Sequence, residues 1–209
     1  MPHIVLLGDS IFDNASYVAG GPDVVAHLKR EMPEGWRATL SAIDGATTGS
    51  IPVQYGRIPP DATHLVLSIG GNDALMNVDI LQRRASTVAD ALEHLADMRD
   101  RFEHAYRAVV AQLLKHDLPL TVCTIYNGNF GDHVMQRLAP TALIMFNDAI
   151  LRTAFELVLP AIELRIVCSE PEDYANPIEP SVQGGHKIAK AIIRAIEGQA
   201  GARGAPVFI

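Results

Sequence analysis

The sequence has few of the features on which several protein classes depend. It contains only two cysteines in 209 residues, which excludes a scaffold held together by disulfides. It has 17 Lys and Arg against 24 Asp and Glu, for a formal net charge of −7, and its basic residues form no cluster larger than a pair. We therefore expect neither nucleic acid nor an anionic membrane surface as a partner.

Long apolar runs are also missing, although 48% of the residues are hydrophobic. None approaches the roughly 20 residues needed to span a bilayer. The chain enters a strand-like run by its third residue, which leaves no room for a signal peptide and predicts a cytoplasmic protein. Cys123 and Cys168 lie in apolar runs, so we expect buried free thiols. No pattern in the sequence predicts an oligomeric state.

The order of hydrophobic patterns predicts one α/β domain over residues 1–209. Strand-like runs alternate with helical ones, which favours a parallel sheet with helices on both faces. We expect five strands in the order 2-1-3-4-5 and a loosely ordered tail at 198–209, from which 207–209 could dock on the body. The predicted strands are 3–7, 36–42, 63–69, 118–125 and 163–168. The predicted helices are 23–31, 78–116 with a break near 97–101, 138–159 and 182–197.

The first strand ends abruptly at Gly8-Asp9-Ser10. An apolar run that stops at such a tight turn is typical of a fully buried parallel strand. Ligands of open α/β sheets bind at the carboxyl ends of the strands. Ser10 is therefore the first candidate for a catalytic residue.

Two further loops follow predicted strands and could serve the same site. Gly45, in Asp44-Gly45-Ala46, could bring a backbone N–H close to a ligand. Asn72, in Gly70-Gly71-Asn72-Asp73, could direct its side-chain amide to the same point. Together with the N–H of Ser10, these groups would form an oxyanion hole, in which each donor is worth roughly 3–4 kcal/mol.

The three segments Gly8-Asp9-Ser10, Gly45 and Gly70-Gly71-Asn72-Asp73 resemble, in order and spacing, the first three sequence blocks of the SGNH/GDSL hydrolases. The resemblance covers nearly the whole chain. It implies a flavodoxin-like three-layer α/β/α sandwich that hydrolyses esters, thioesters or acetylated sugars, with Ser10 as the nucleophile.

The fourth block departs from that family. Its members carry Asp-x-x-His before the last helix, commonly followed by Pro and Ser or Asn. Aligning on Pro180-Ser181 puts Asn176 at the Asp position and Glu179 at the His position. A carboxylate thus replaces the expected imidazole, and we predict that it approaches Ser10. Burial or neighbouring acids would raise its pKa from about 4.3 and make it a better base.

Two histidines are alternative bases. His186 lies in the last predicted helix, but the stripe that would face the sheet excludes it, so we expect it at the surface. His133 follows the fourth strand and so comes from the correct edge, although a loop histidine of this kind is more often a surface residue. The apolar residues around Met145-Phe146 fit a packed helix face better than a substrate groove.

The resemblance implies a serine esterase that acts on small-molecule esters through an acyl-enzyme on Ser10. The alternative is a non-catalytic binding protein that keeps the oxyanion pocket but lacks the catalytic histidine. A weaker third hypothesis, a nucleotide binder, is disfavoured because no phosphate-binding loop follows a strand. No His, Cys and Asp grouping has metal-ligand spacing, so we expect neither metal nor cofactor.

Overall fold

A computed structural model describes residues 1–198 and 206–209 of the chain. In these residues six parallel strands form one sheet in the order β2-β1-β3-β4-β5-β6. The predicted order 2-1-3-4-5 is confirmed, and a sixth short strand extends it at one edge. The strands are β1 His3–Gly8, β2 Arg37–Leu40, β3 His64–Ser68, β4 Leu120–Cys123, β5 Ala161–Ile162 and β6 Val207–Phe208.

Helices connect the strands. The α-helices are α1 Val24–Glu31, α2 Pro52–Tyr55, α3 Gly71–Leu75, α4 Val88–Leu113, α5 His133–Glu156, α6 Leu164–Val167 and α7 Val182–Gly198. Short 3₁₀ turns cover Ala15–Tyr17, Val78–Gln82, Leu114–His116 and Pro171–Asp173. None of the helices in the described part of the chain is long and apolar enough to cross a membrane.

The two faces of the sheet bury two separate apolar clusters. Val5 and Leu7 of β1 point to the face covered by α4 and α5. Ile4 and Leu6 point to the opposite face, which is covered by α1 and α7. Because side chains alternate along a strand, one short apolar run fills both layers. The result is the predicted α/β/α sandwich.

The fifth strand differs from the prediction of 163–168. It is only Ala161–Ile162, held between β4 and β6. The next residues form α6 instead, because Glu163 accepts hydrogen bonds at the start of that helix from the N–H of Arg165 and from the hydroxyl of Thr124. A carboxylate at a helix N-terminus favours the helix over continued strand.

The long helix also differs from the prediction. It begins at Val88, after a capping box formed by Thr87 and Asp90, and it has no break near 97–101. Met98 and Phe102 are buried, while Asp97 and Arg101 are exposed. These charges mark the solvated face of one helix, not its end.

The predicted docking of the C-terminus is seen in β6, where Val207 and Phe208 pair with Ala161 and Ile162. Of the tail expected to be loosely ordered, residues 199–205 lie outside the described part of the chain.

Candidate active site

Ser10 lies directly beyond β1, in a tight turn whose geometry requires glycine. Gly8 has φ +131°, and a Cβ at this position would stand 1.7 Å from the carbonyl oxygen of Ser68. The turn is then fixed by Asp9, whose side chain accepts a hydrogen bond from the N–H of Ile11 at 3.1 Å. This places the buried Ser10 hydroxyl at the carboxyl edge of the sheet.

Glu179 reaches Ser10 from 169 positions away in the sequence. The Ser10 hydroxyl donates a hydrogen bond to Glu179 Oε1 at 3.0 Å. The second carboxylate oxygen, Oε2, is buried and has no hydrogen-bond partner among the residues that the structure describes. The contact expected from the alignment of this loop is therefore present.

The Glu179 carboxylate titrates near neutrality. Burial raises its pKa to about 7, the charge of Asp44 adds to the increase, and the hydrogen bond from Ser10 opposes it. A carboxylate removed from water holds its proton more tightly, since the charged form loses solvation. The group is thus partly ionised at neutral pH.

Asn176 holds the backbone of Glu179. Its side-chain oxygen accepts hydrogen bonds from the N–H groups of Ile178 at 2.9 Å and Glu179 at 3.0 Å. The residue at the family's Asp position therefore orients the turn instead of pairing with the side chain three residues later.

Two residues outside this loop anchor it. The Tyr126 hydroxyl donates to the carbonyl of Ile178 at 2.6 Å. The Asn14 amide donates to the carbonyl of Pro180 at 3.1 Å, while its oxygen accepts from Val24 N–H. Asn14 lies four residues after Ser10 in the sequence, but the sequence could not indicate that its buried side chain would contact Pro180, the residue after Glu179.

The expected oxyanion donors lie at this same edge. Asn72 lines one cavity with Ser10 and Glu179. One hydrogen of its amide is used by the carbonyl of Ala46 at 2.9 Å, which leaves the other for a ligand. This bond fixes the loop of Gly45, which has φ +76° and is exposed. Within the described residues, the N–H groups of Ser10 and Gly45 have no acceptor.

Two aspartates support these loops. Asp73 accepts hydrogen bonds from both the N–H and the hydroxyl of Thr48, which braces the loop after β2 against that after β3. Asp9 is buried beside the site, and desolvation raises its pKa to about 8, with the charges of Glu179 and Asp73 contributing. Asp9 is therefore mostly a neutral acid at pH 7.

The two histidine alternatives are placed elsewhere. The ring of His186 stacks on His27 with centroids 5.1 Å apart, and its Nε2 lies 3.6 Å from Glu31 Oε1. It is half-buried between α7 and α1, so its expected position at the open surface was wrong. His133 is exposed at the first position of α5. Neither histidine lines the cavity that contains Ser10.

A cavity of about 160 Å³ opens beside Ser10. Its polar end carries Asp9, Ser10, Asn72 and Glu179, and the rest of its wall is mainly apolar. Phe146 of α5 belongs to that wall, so the interpretation of this helix as packing alone was incomplete. Among residues 1–198 and 206–209, no group of three or more His, Cys, Asp or Glu side chains could hold a metal ion.

A sequence model of the GDSL-like lipase/acylhydrolase family matches residues 6–207. The chain belongs to that family. No curated protein matches the chain.

Solved structures share the fold of this GDSL-like chain at low sequence identity. An extracellular lipase from Streptomyces rimosus has a TM-score of 0.68 at 15% identity, with 95% of this chain and 99% of the lipase covered. A lipase/acylhydrolase from Enterococcus faecalis has a TM-score of 0.65 at 22% identity, covering 95% and 97%. An acetylxylan esterase from Geobacillus stearothermophilus has 0.63 at 20%, covering 93% and 94%. These similarities extend over nearly the whole length of each chain.

Proposed function

We propose that this chain is a serine ester hydrolase that forms an acyl-enzyme on Ser10 and uses Glu179 as its general base. The observation that carries the proposal is the 3.0 Å hydrogen bond from the Ser10 hydroxyl to Glu179 Oε1. A nucleophile in direct contact with a base is the arrangement that covalent catalysis needs. The family membership supports hydrolase chemistry.

Acylation begins when Ser10 Oγ attacks the ester carbonyl carbon. The new C–O bond forms as the hydroxyl proton passes to Glu179 Oε1 and the carbonyl electrons move to oxygen. The N–H groups of Ser10 and Gly45 and the Asn72 amide would stabilise the resulting oxyanion. When the intermediate collapses, the alcohol leaves and takes the proton from Glu179.

Deacylation repeats these steps with water as the nucleophile. Glu179 accepts a proton from a water molecule as the oxygen of that water attacks the acyl carbon. Collapse of the second intermediate releases the carboxylic acid and returns the proton from Glu179 to Ser10 Oγ. No atom is left over, and the carboxylate is ready for another turnover.

A carboxylate can serve here because its pKa is raised to about 7. A general base works best when its pKa lies near the working pH, where it is both ionised and basic. An ordinary surface glutamate, with a pKa of about 4.3, would be a far weaker base. Burial of the Glu179 side chain therefore compensates for the missing imidazole.

A fluorophosphonate probe tests this proposal directly, because it reacts readily with an activated serine. We expect intact-protein mass spectrometry to find one adduct, on Ser10, that disappears in Ser10→Ala. Glu179→Gln keeps a hydrogen-bond acceptor but not the base, and should slow labelling at least about 100-fold. Ser169→Ala, at an exposed serine, is the matched control and should label normally.

The outcome that contradicts the proposal is a folded wild-type protein that stays unlabelled from pH 5 to 9. That result would favour a binding protein of the same fold that uses its oxyanion donors only to hold a carbonyl or an anion. A cytoplasmic location, a small-molecule substrate and the absence of a nucleic-acid partner stay predictions from the sequence.

A further inference from the structure

We infer that the cavity beside Ser10 binds a medium-length apolar acyl chain, so that the preferred substrates are esters of acids such as hexanoic acid and not acetate esters. This inference rests on the proposed function, because it assigns the acyl side of the substrate to the cavity next to the nucleophile. The evidence is the composition, size and opening of that cavity.

One wall of the cavity is a single face of α5. Met135, Ala139, Ala142, Leu143 and Phe146 line it. Their spacing of four, seven, eight and eleven residues follows one side of a helix. Over eleven residues this face extends about 16 Å, at 1.5 Å per residue. The wall leads from the exposed start of α5 to Phe146, which is buried in the core.

Another part of the lining comes from α3 and the 3₁₀ turn that follows it. Leu75, Val78 and Leu81 line the cavity and are also 40%, 48% and 36% exposed. These large apolar side chains line the cavity and are also open to water, so they form the entrance of the cavity. A chain longer than the cavity could therefore extend outward between this turn and α5.

The lining favours a hydrocarbon over a sugar. Among the described residues, the acidic side chains that line the cavity are Asp9 and Glu179, both at the Ser10 end, and no basic side chain lines it. Recognition of a polyhydroxylated group requires several placed hydrogen-bond partners. The walls from α5 and the 3₁₀ turn offer aliphatic side chains, Met135 and Phe146 instead.

The volume limits how much of the acyl chain can be buried. A cavity of about 150 Å³ lined by Leu, Ile and Phe binds benzene, a six-carbon group. The cavity here measures about 160 Å³. An acetyl group would leave most of it empty, whereas a six-carbon acyl group would fill it.

A series of p-nitrophenyl esters tests the inference. The wild-type kcat/KM should rise from acetate through butyrate to hexanoate, by up to about fourfold for each methylene buried. It should level off at octanoate, when the cavity is full. A flat series, or one in which acetate is the best substrate, would overturn the inference while leaving the proposed hydrolase function intact.

Ala142→Leu places extra volume in the wall without disturbing a helix-forming position. It should lower the ratio of hexanoate to acetate kcat/KM by about tenfold or more. Thr141→Leu is the matched control, because Thr141 is exposed and does not line the cavity. Equal ratios in wild type and Ala142→Leu would contradict the assignment.

Binding to Ser10→Ala gives a second readout that needs no turnover. By calorimetry, p-nitrophenyl hexanoate should bind this variant more tightly than p-nitrophenyl acetate, and addition of Ala142→Leu should remove the difference. If no ester is hydrolysed but this pattern appears, the inference holds and the proposed function fails. If neither ester binds better than the other, the inference fails whatever the activity.

Discussion

The side-chain oxygen of Asn176 accepts a hydrogen bond from the backbone N–H of Glu179 at 3.0 Å. Three residues apart, the two form a turn that directs the Glu179 carboxylate toward Ser10. The side chain at the position of the family's aspartate thus acts on the backbone of its partner and not on its catalytic atoms.

Asn176→Ala should therefore misplace Glu179 without removing it. We expect kcat/KM for p-nitrophenyl butyrate to fall about 10- to 100-fold, as displacement of a catalytic group by about 1 Å can do. The matched variant Asn176→Asp keeps an acceptor oxygen and should retain most of the activity. Its added charge would raise the pKa of Glu179, so its pH profile should move to higher pH. An unmoved profile in this variant would count against the positioning role.

Asn72→Ala tests the oxyanion hole. Loss of one preorganised donor lowers kcat by about 100- to 1,000-fold, and KM should change little because the charge develops only in the transition state. Asn129→Ala is a control, since that amide also donates to a backbone carbonyl but at an exposed position. If steady-state kinetics find equal kcat values for wild type and Asn72→Ala, the amide does not stabilise the oxyanion.

The raised pKa of Asp9 predicts that the folded protein loses stability as the pH rises. Its pKa is 3.8 in the absence of burial and about 8 in the folded protein. Between these values the unfolded chain releases a proton that the folded chain keeps. The free energy of unfolding should therefore fall as pH rises through this window, by at most about 1.4 kcal/mol per pH unit from this group.

Asp9→Asn removes that titration and should be more stable than wild type, by an amount that grows from pH 5 to pH 8. Urea denaturation at each pH measures it. Asp97→Asn, at an exposed position, should give no such growth. A constant difference between Asp9→Asn and wild type across this range would show that Asp9 is already ionised in the folded protein.

Asp173 has the opposite pH dependence. Burial alone raises its pKa, but hydrogen bonds from Lys187 at 2.7 Å and Gln183 at 3.0 Å lower it overall. Its stabilising effect is complete above its ordinary pKa and is lost as pH falls through the folded-state value. Asp173→Asn should lower the free energy of unfolding by about 2–3 kcal/mol at pH 7.

The control for this prediction is Asp148→Asn, which breaks an exposed ion pair with Arg152. Exposed pairs contribute about 0–1 kcal/mol, so thermal or urea denaturation should separate the two variants clearly. Equal losses at Asp173 and Asp148 would mean that the buried carboxylate does not hold α7 to the loop before it.

The features that sequence patterns predicted are those that local chemistry dictates. Buried parallel strands are apolar along their length and end at turn residues, so β1 and the turn at Gly8 could be recognised directly. The motifs at Ser10 and Asn72 each follow such a strand, and their common edge then follows from parallel topology. The register of the last loop could be set by Pro180-Ser181, which led to Glu179.

The features that the sequence did not predict depend on tertiary contacts. The two-residue strand β5 exists because β4 and β6 flank it, and Glu163 starts a helix where an apolar run suggested strand. The face of α5 toward the cavity has the same hydrophobic periodicity as a helix face packed in the core. The sequence pattern therefore could not show that this face lines a cavity. The hydrogen bond from Asn14 to the carbonyl of Pro180 likewise depends on the tertiary fold, because the two residues are 166 positions apart in the sequence.

The pH dependence of kcat/KM tests most directly the claim that Glu179 activates Ser10. For p-nitrophenyl butyrate, we predict a rise from pH 5 to 9 with an apparent pKa near 7, the value to which burial raises that of Glu179. In Glu179→Gln, kcat/KM should be lower by about 100-fold or more. It should also no longer rise with pH over this range. A Glu179→Gln variant with wild-type rates and an unchanged profile would contradict the account.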